Sequence, residues 1–229
     1  MDNDAHVFLQ LWQWAPALLR GMLTNIQISI VAIALGTVTG LLIGALSIAG
    51  SRPLRWLTHL YVQAFRNAPA LVLIYFTTYV FPFEIVLFGH WFAFPDWIKV
   101  TLGLALPASA NIAEIFRGAI QSIPAAQWDA ARSLALRRSQ IFSLIILPQS
   151  VRRMLPPWMN LYAMITMSTS LASLVGVHDI VDTAQIASNT VMQTDFTILI
   201  YMTMLALFFC YCYPISRYTR RLERRHAIR

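Results

Sequence analysis

Asn111, Glu114 and Arg117 recur every three residues along one apolar stretch, which puts an amide, a carboxylate and a guanidinium on one helix stripe. An ionised group at the centre of a bilayer costs on the order of 2.5–3.5 kcal/mol on insertion scales, so such groups pair with one another or meet a polar solute. With Arg66 they could line a route for a zwitterion; equally, Glu114 and Arg117 could neutralise each other in a purely structural pair. Thr166, Thr169, Ser170 and Ser173 stand at i, i+3, i+4 and i+7, a hydroxyl-rich face that could line a pathway or bond the backbone and neighbouring helices. All of these groups can bind a solute, and none is set to break a bond. The five histidines show no metal-ligand spacing, and neither a G-x-S-x-G nor a G-x-x-x-x-G-K-[ST] motif is present. No catalytic or metal-ligating residue is assigned, and no cofactor is expected in this chain.

The elements that position these groups are set by lipid. Only 12% of the 229 residues are charged and 58% are hydrophobic, where a soluble domain carries about 25% charge. Residues 21–51, 67–83, 100–113, 154–178 and 196–216 carry no charge at all. A helix needs roughly 20 apolar residues to cross a hydrocarbon core about 30 Å thick, and lipid leaves helices as the element that satisfies its own backbone. The apolar runs do not alternate as barrel strands would. The expected fold is therefore all-α: one integral membrane helical bundle over 1–229. Its spans fall near 22–48, 57–80, 99–117, 155–176 and 195–216, and its longest polar loop at 118–153. Residues 8–20 are expected as an interfacial helix on the outer surface, and 81–98 and 177–194 as external segments. Gly36, Gly40 and Gly44, at four-residue spacing, suit the close approach of a second helix.

The net charge of +7 is distributed, not diffuse. Of 17 basic residues, 15 lie at or beside 52–66, 117–153 and 217–229, while most acids lie in the complementary segments. Short arginine-rich loops stay in the cytoplasm, which predicts an N-terminus outside, a C-terminus inside and an odd number of spans. The arginine-rich tail then reads as a contact with inner-surface lipid, not a nucleic-acid arm. The acidic start, MDNDAH, is unlike a cleavable signal peptide. Cys210 and Cys212, two apart on one helix, point to different sides and do not suit a bridge.

The loop is the most specific segment. Pro124 suits the first turn of a helix, and the alanine-rich residues after it contain no breaker. Ala126, Ala130 and Ala131 make a narrow face flanked by Gln127, Asp129 and Arg132, thin enough to enter a partner's groove. Leu134 and residues from Ile141 on are expected to pack back on the membrane helices. Asp129-Ala130-Ala131, then Ala135, Ile145 and Leu147-Pro148 resemble the E-A-A-x3-G-x9-I-x-L-P loop of ATP-binding-cassette (ABC) importer permeases. Five of the seven fixed positions are identical; Asp129 stands for glutamate and Ala135 for glycine. Glu114 to Ile120, Leu155-Pro156-Pro157 and Phe65-Arg66-Asn67-Ala68-Pro69 extend the resemblance to the polar amino-acid uptake family, the histidine, glutamine and arginine type, over about 20–217.

That resemblance implies a type I importer permease in the bacterial inner membrane, with 118–153 carrying a cytoplasmic coupling helix. It implies a second permease subunit, like or unlike, and two ATPase subunits that bind ATP and Mg. It further implies a solute-binding protein outside and alternating access driven by the ATPase. Met167 and Ser168 stand where related permeases often carry charge, which shifts selectivity toward the binding protein. Alanine at 135 either takes a left-handed turn at roughly 1–2 kcal/mol or lets the helix run on to Arg137. A lone secondary carrier would need an ion site and paired repeats, and a membrane enzyme or anchor would need a polar catalytic cluster or a loop indifferent to mutation.

Overall fold

The computed structural model describes residues 2–87 and 89–226. In chain order its elements are α1 (Asp2–Ala49), α2 (Arg52–Asn67), α3 (Ala70–Val80), β1 (Glu84–Leu87), β2 (His90–Ala93), α4 (Asp96–Gln121), α5 (Ala125–Ser133), α6 (Arg138–Gln140), α7 (Leu147–Ser168), α8 (Ile180–Val191) and α9 (Thr194–His226). A π-helical turn, Ile141–Ile146, leads into α7, and a 3-10 stretch, Thr169–Val175, leaves it. Among the described residues, three helices are long and apolar enough to cross a bilayer: His6–Ala49, Asp96–Gln121 and Thr194–Glu223. The pair Arg138–Val175 and Ile180–Val191, bent by 49°, adds a broken fourth.

Two expectations change. The surface helix at 8–20 does not exist as a separate element, because α1 runs unbroken for 48 residues, about 72 Å at 1.5 Å per residue. Pro16 lies inside it without ending it. The span expected at 57–80 is cut between Asn67 and Ala70. Proline disfavours helical geometry in the residue before it, and Ala68 and Pro69 are extended, with ψ of 135° and 130°. The resulting helices of 16 and 11 residues, about 24 and 17 Å long, are each too short to cross alone.

The helices form two compact units, through which α1, α4, α7 and α9 each pass. One unit comprises residues up to Ile33, Pro69–Ala105 and Met164–Pro214. Its core joins Leu18 and Met22 of α1 to Ile180 and Ala184 of α8 and Phe196 and Ile200 of α9. This apolar contact is why the start of α1 stands in the bundle instead of lying on a surface. Asn25 is fully buried beside it: its Nδ2 donates to Asp179 Oδ2 and Thr169 Oγ1, both at 3.0 Å, and its Oδ1 accepts from the Ile180 N–H at 3.1 Å. Asp179, in the connection before α8, also caps that helix by accepting from the Asp182 N–H at 2.8 Å.

The same unit holds the departure from an all-helical chain. Strands β1 and β2 pair antiparallel in the register Glu84↔Ala93 to Leu87↔His90, and Gly89, at φ +81°, serves the tight connection. Phe83 and Trp91 are exposed on this ribbon, as suits a membrane–water interface. Lys99, at the start of α4, is fully buried. Its Nζ lies 3.0 Å from Asp96 Oδ1 and 3.8 Å from the centre of the Phe83 ring. An ion pair and an aromatic face together replace the water it has lost.

The second unit comprises Ala34–Ala68, Leu106–Ala163 and the residues from Ile215 on. Here the glycine stripe of α1 lies against α4. A Cβ on Gly36, Gly40 or Gly44 would sit 2.7 Å from Ala108 Cβ, 2.5 Å from the Ser109 carbonyl oxygen and 2.8 Å from Phe116 Cδ1. Only hydrogen fits at that separation, which is the packing expected of the spacing. Cys210 is exposed and Cys212 buried, both free.

Candidate functional site

The loop region folds as a short exposed helix bracketed by fixed ends. Pro124 precedes α5, extended at ψ 141°, and its carbonyl accepts from the Gln127 N–H at 3.0 Å. Ala126, Gln127, Asp129, Ala130 and Arg132 are exposed. Asp129 and Arg132 approach to 3.4 Å with about two-thirds of each side chain in solvent, so the pair contributes little and both charges stay available to a partner.

Ala131 does not share that exposed face. It is 1% exposed and packs among Ile120, Ile123, Ile141, Ile146 and Met154. At 100° per residue, Ala130 and Ala131 point in different directions, and Ala131 belongs to the anchor. Leu134, expected to pack inward, is instead 73% exposed; Trp128 and Leu136 take that role. The helix stops at Ser133 and Ala135 adopts φ +55°. Of the two possibilities at this position, the left-handed turn is realised, and the run to Arg137 is not.

Beyond the turn, Pro148 explains the wide helical segment. Proline has no N–H and its ring crowds the carbonyl four residues back. A π turn relieves that crowding, and the Leu147 N–H reaches to the Phe142 carbonyl, five residues away. The segment ends where Arg153 on α7 donates to Ser122, just past α4, at 2.5 Å to the carbonyl and 2.9 Å to the hydroxyl. No sequence spacing announces this tie.

The candidate pathway groups separate. Glu114 and Arg117 form the pair that their spacing allows: Arg117 Nε donates to one carboxylate oxygen at 3.0 Å and a terminal nitrogen to the other. The remaining terminal nitrogen donates to Gln121 Oε1 at 2.8 Å. Asn111 donates to the Pro107 carbonyl of its own helix at 2.8 Å. Arg66 is exposed near the end of α2.

Thr166, Thr169, Ser170 and Ser173 lie in the other unit, and the expected single face is divided. Thr166 and Thr169 are fully buried, while Ser170 and Ser173 are half-buried. The cause is the 3-10 stretch, whose three residues per turn eclipse i with i+3. Thr169, Ser170 and Ser173 donate to carbonyls three residues back, at 2.7, 2.8 and 3.0 Å.

A cavity of about 230 Å³ opens beside the ion pair, lined by Ser47, Arg55, Thr58, His59, Val62, Gln63, Ala113, Glu114 and Arg117. Arg55, His59 and Gln63 stand at i, i+4 and i+8 on α2, a stripe that could have been read in the sequence.

Residues 36–226 match the family model described as binding-protein-dependent transport system inner membrane component. The chain is similar to the octopine transport system permease protein OccM of Rhizobium radiobacter, at 34% identity over 93% of this chain and 87% of that protein. It is likewise similar to the probable amino-acid ABC transporter permease protein YckA of Bacillus subtilis, at 32% identity over 93% and 90%. In fold it resembles the crystal structure of an amino acid ABC transporter with histidines, with a TM-score of 0.82, 24% identity, and 95% and 98% of the two chains covered.

Proposed function

We infer, from a chain that belongs to the family of binding-protein-dependent transport system inner membrane components, a membrane permease that passes polar amino acids or related small solutes under the drive of a separate ATPase. The observation that carries this reading is α5: a nine-residue helix presenting Ala126 and Ala130 to solvent while Ala131 and Trp128 hold it to the bundle. A thin alanine face can enter a groove closed to bulkier helices, and Gln127, Asp129 and Arg132 around it can fix its register. Relatives named for octopine, cystine and glutamine transport support the solute class.

The assembly proposed is two permease subunits, two ATP-binding-cassette ATPases carrying ATP and Mg, and an external solute-binding protein. Closure of the ATPases on ATP draws the docking helices together. The firm packing of α5 on Ile120, Ile141 and Met154 transmits that movement to α4 and α7, and the bundle opens outward. Hydrolysis returns it. On the orientation proposed from charge, α5 and the arginine-rich tail face the cytoplasm and the β1–β2 ribbon faces outward. The test is Ala130→Arg: the side chain points into solvent, so the permease should fold, yet co-purification with the ATPase and uptake in proteoliposomes should be lost. Retention of both by this variant sinks the docking reading.

A further inference from the structure

The cavity beside Glu114 has a charge imbalance that follows from its hydrogen bonds. Arg117 meets both oxygens of Glu114 and spends its third nitrogen on Gln121, so this wall is a neutral pair. What remains is basic. Arg55 and His59 face the same cavity one turn apart, and neither is in an ion pair among the described residues. Gln63 stands one turn further on; its Oε1 accepts from Asn67 at 3.2 Å, and its amide nitrogen is a further donor. Val62 and Ala113 supply apolar wall, which strengthens a charge–charge contact relative to open water. The volume, about 230 Å³, equals roughly eight waters at 30 Å³ each, the scale of a free polar amino acid.

We propose that this cavity is a solute-binding site for small carboxylate-bearing zwitterions, with Arg55 and His59 holding the carboxylate. The Gln63 amide adds a neutral donor to the same wall. Glu114 keeps lone pairs beyond those given to Arg117, and these face the ammonium end of the solute. The proposal rests on the permease reading and sharpens it, moving the polar contact from Arg66 and Asn111 to the α2 stripe. Because Arg52, Arg55 and Arg66 belong to a basic segment, the site lies toward the proposed cytoplasmic end, where a solute is last held before release.

The test places a reporter on the cavity wall. Ser47→Cys is introduced with Cys210→Ala and Cys212→Ala, and the permease–ATPase complex in nanodiscs is labelled with methanethiosulfonates bearing a sulfonate or a quaternary ammonium. The sulfonate reagent should react faster, and Arg55→Gln should lower the anion-to-cation rate ratio by roughly fivefold or more. Arg55→Lys should largely preserve the ratio. Millimolar L-glutamine, L-arginine or L-glutamate should slow labelling, and the matching α-carboxamides should not. A ratio indifferent to Arg55→Gln, or equal protection by acids and amides, overturns the site. The ratio is readable on the permease whether or not the ATPase co-elutes. Loss of co-elution by the parent complex therefore counts against the permease reading, and charge-blind labelling against the cavity alone.

Discussion

Arg153 of α7 grips Ser122 through both the carbonyl oxygen and the hydroxyl of that residue, at 2.5 and 2.9 Å. The chain between them contains α5, α6 and the π turn, so this bond closes a frame around α5. A force on α5 then reaches α4 and α7 together. Charge-assisted hydrogen bonds contribute about 1.5–3 kcal/mol when sheltered and less when exposed, as here. Arg153→Ala should leave ATPase binding in place and lower ATP-driven uptake several-fold, with partial recovery in Arg153→Lys. Wild-type uptake by Arg153→Ala would show the frame is not needed.

Ala130 and Ala131 are neighbours with opposite exposures, and their substitutions should fail differently. Ala131→Leu inserts three carbons into a closed cluster and should cost about 1–3 kcal/mol, seen as a lower unfolding temperature of the isolated permease. Ala130→Leu should leave that temperature unchanged and weaken ATPase association. Equal thermal effects would contradict the packing of α5.

Gly40 meets the backbone of α4, where a neighbour cannot give way as a side chain could. A Cβ there sits 2.5 Å from the Ser109 carbonyl oxygen, so Gly40→Ala should push α1 from α4 at a cost on the order of 1–3 kcal/mol. Thermal unfolding in detergent reads this directly. Thr39→Ala, on an exposed position of the same helix, should move the midpoint far less.

At Ala135, φ of +55° carries about 1–2 kcal/mol of strain. Ala135→Gly relieves it but loosens the unfolded chain by about 0.4–1 kcal/mol. The net expectation is a small stabilisation, while Ala135→Val should destabilise clearly. Denaturant titration of the three proteins gives the order Gly, Ala, Val; any other order removes the strained-turn account.

What the chain order determined alone was everything governed by local composition. Long charge-free runs demand helices because lipid offers the backbone no partner. The four-residue glycine spacing set which face of α1 could approach another helix, and the alanine-rich stretch after Pro124 could be read as a thin rod. Even the Glu114–Arg117 pair was written in a three-residue spacing. Tertiary structure decided what depends on a distant neighbour. Residues 8–20 joined the bundle because Ile180 and Phe196 offered apolar surface, and Ala131 turned inward because Ile120 and Met154 lay beneath it. Arg55 and His59 became walls of one cavity with Glu114 only when α2 packed beside α4. Spacing along a helix assigns a residue to a face, and which face meets protein, solvent or solute is settled by helices far away in the sequence.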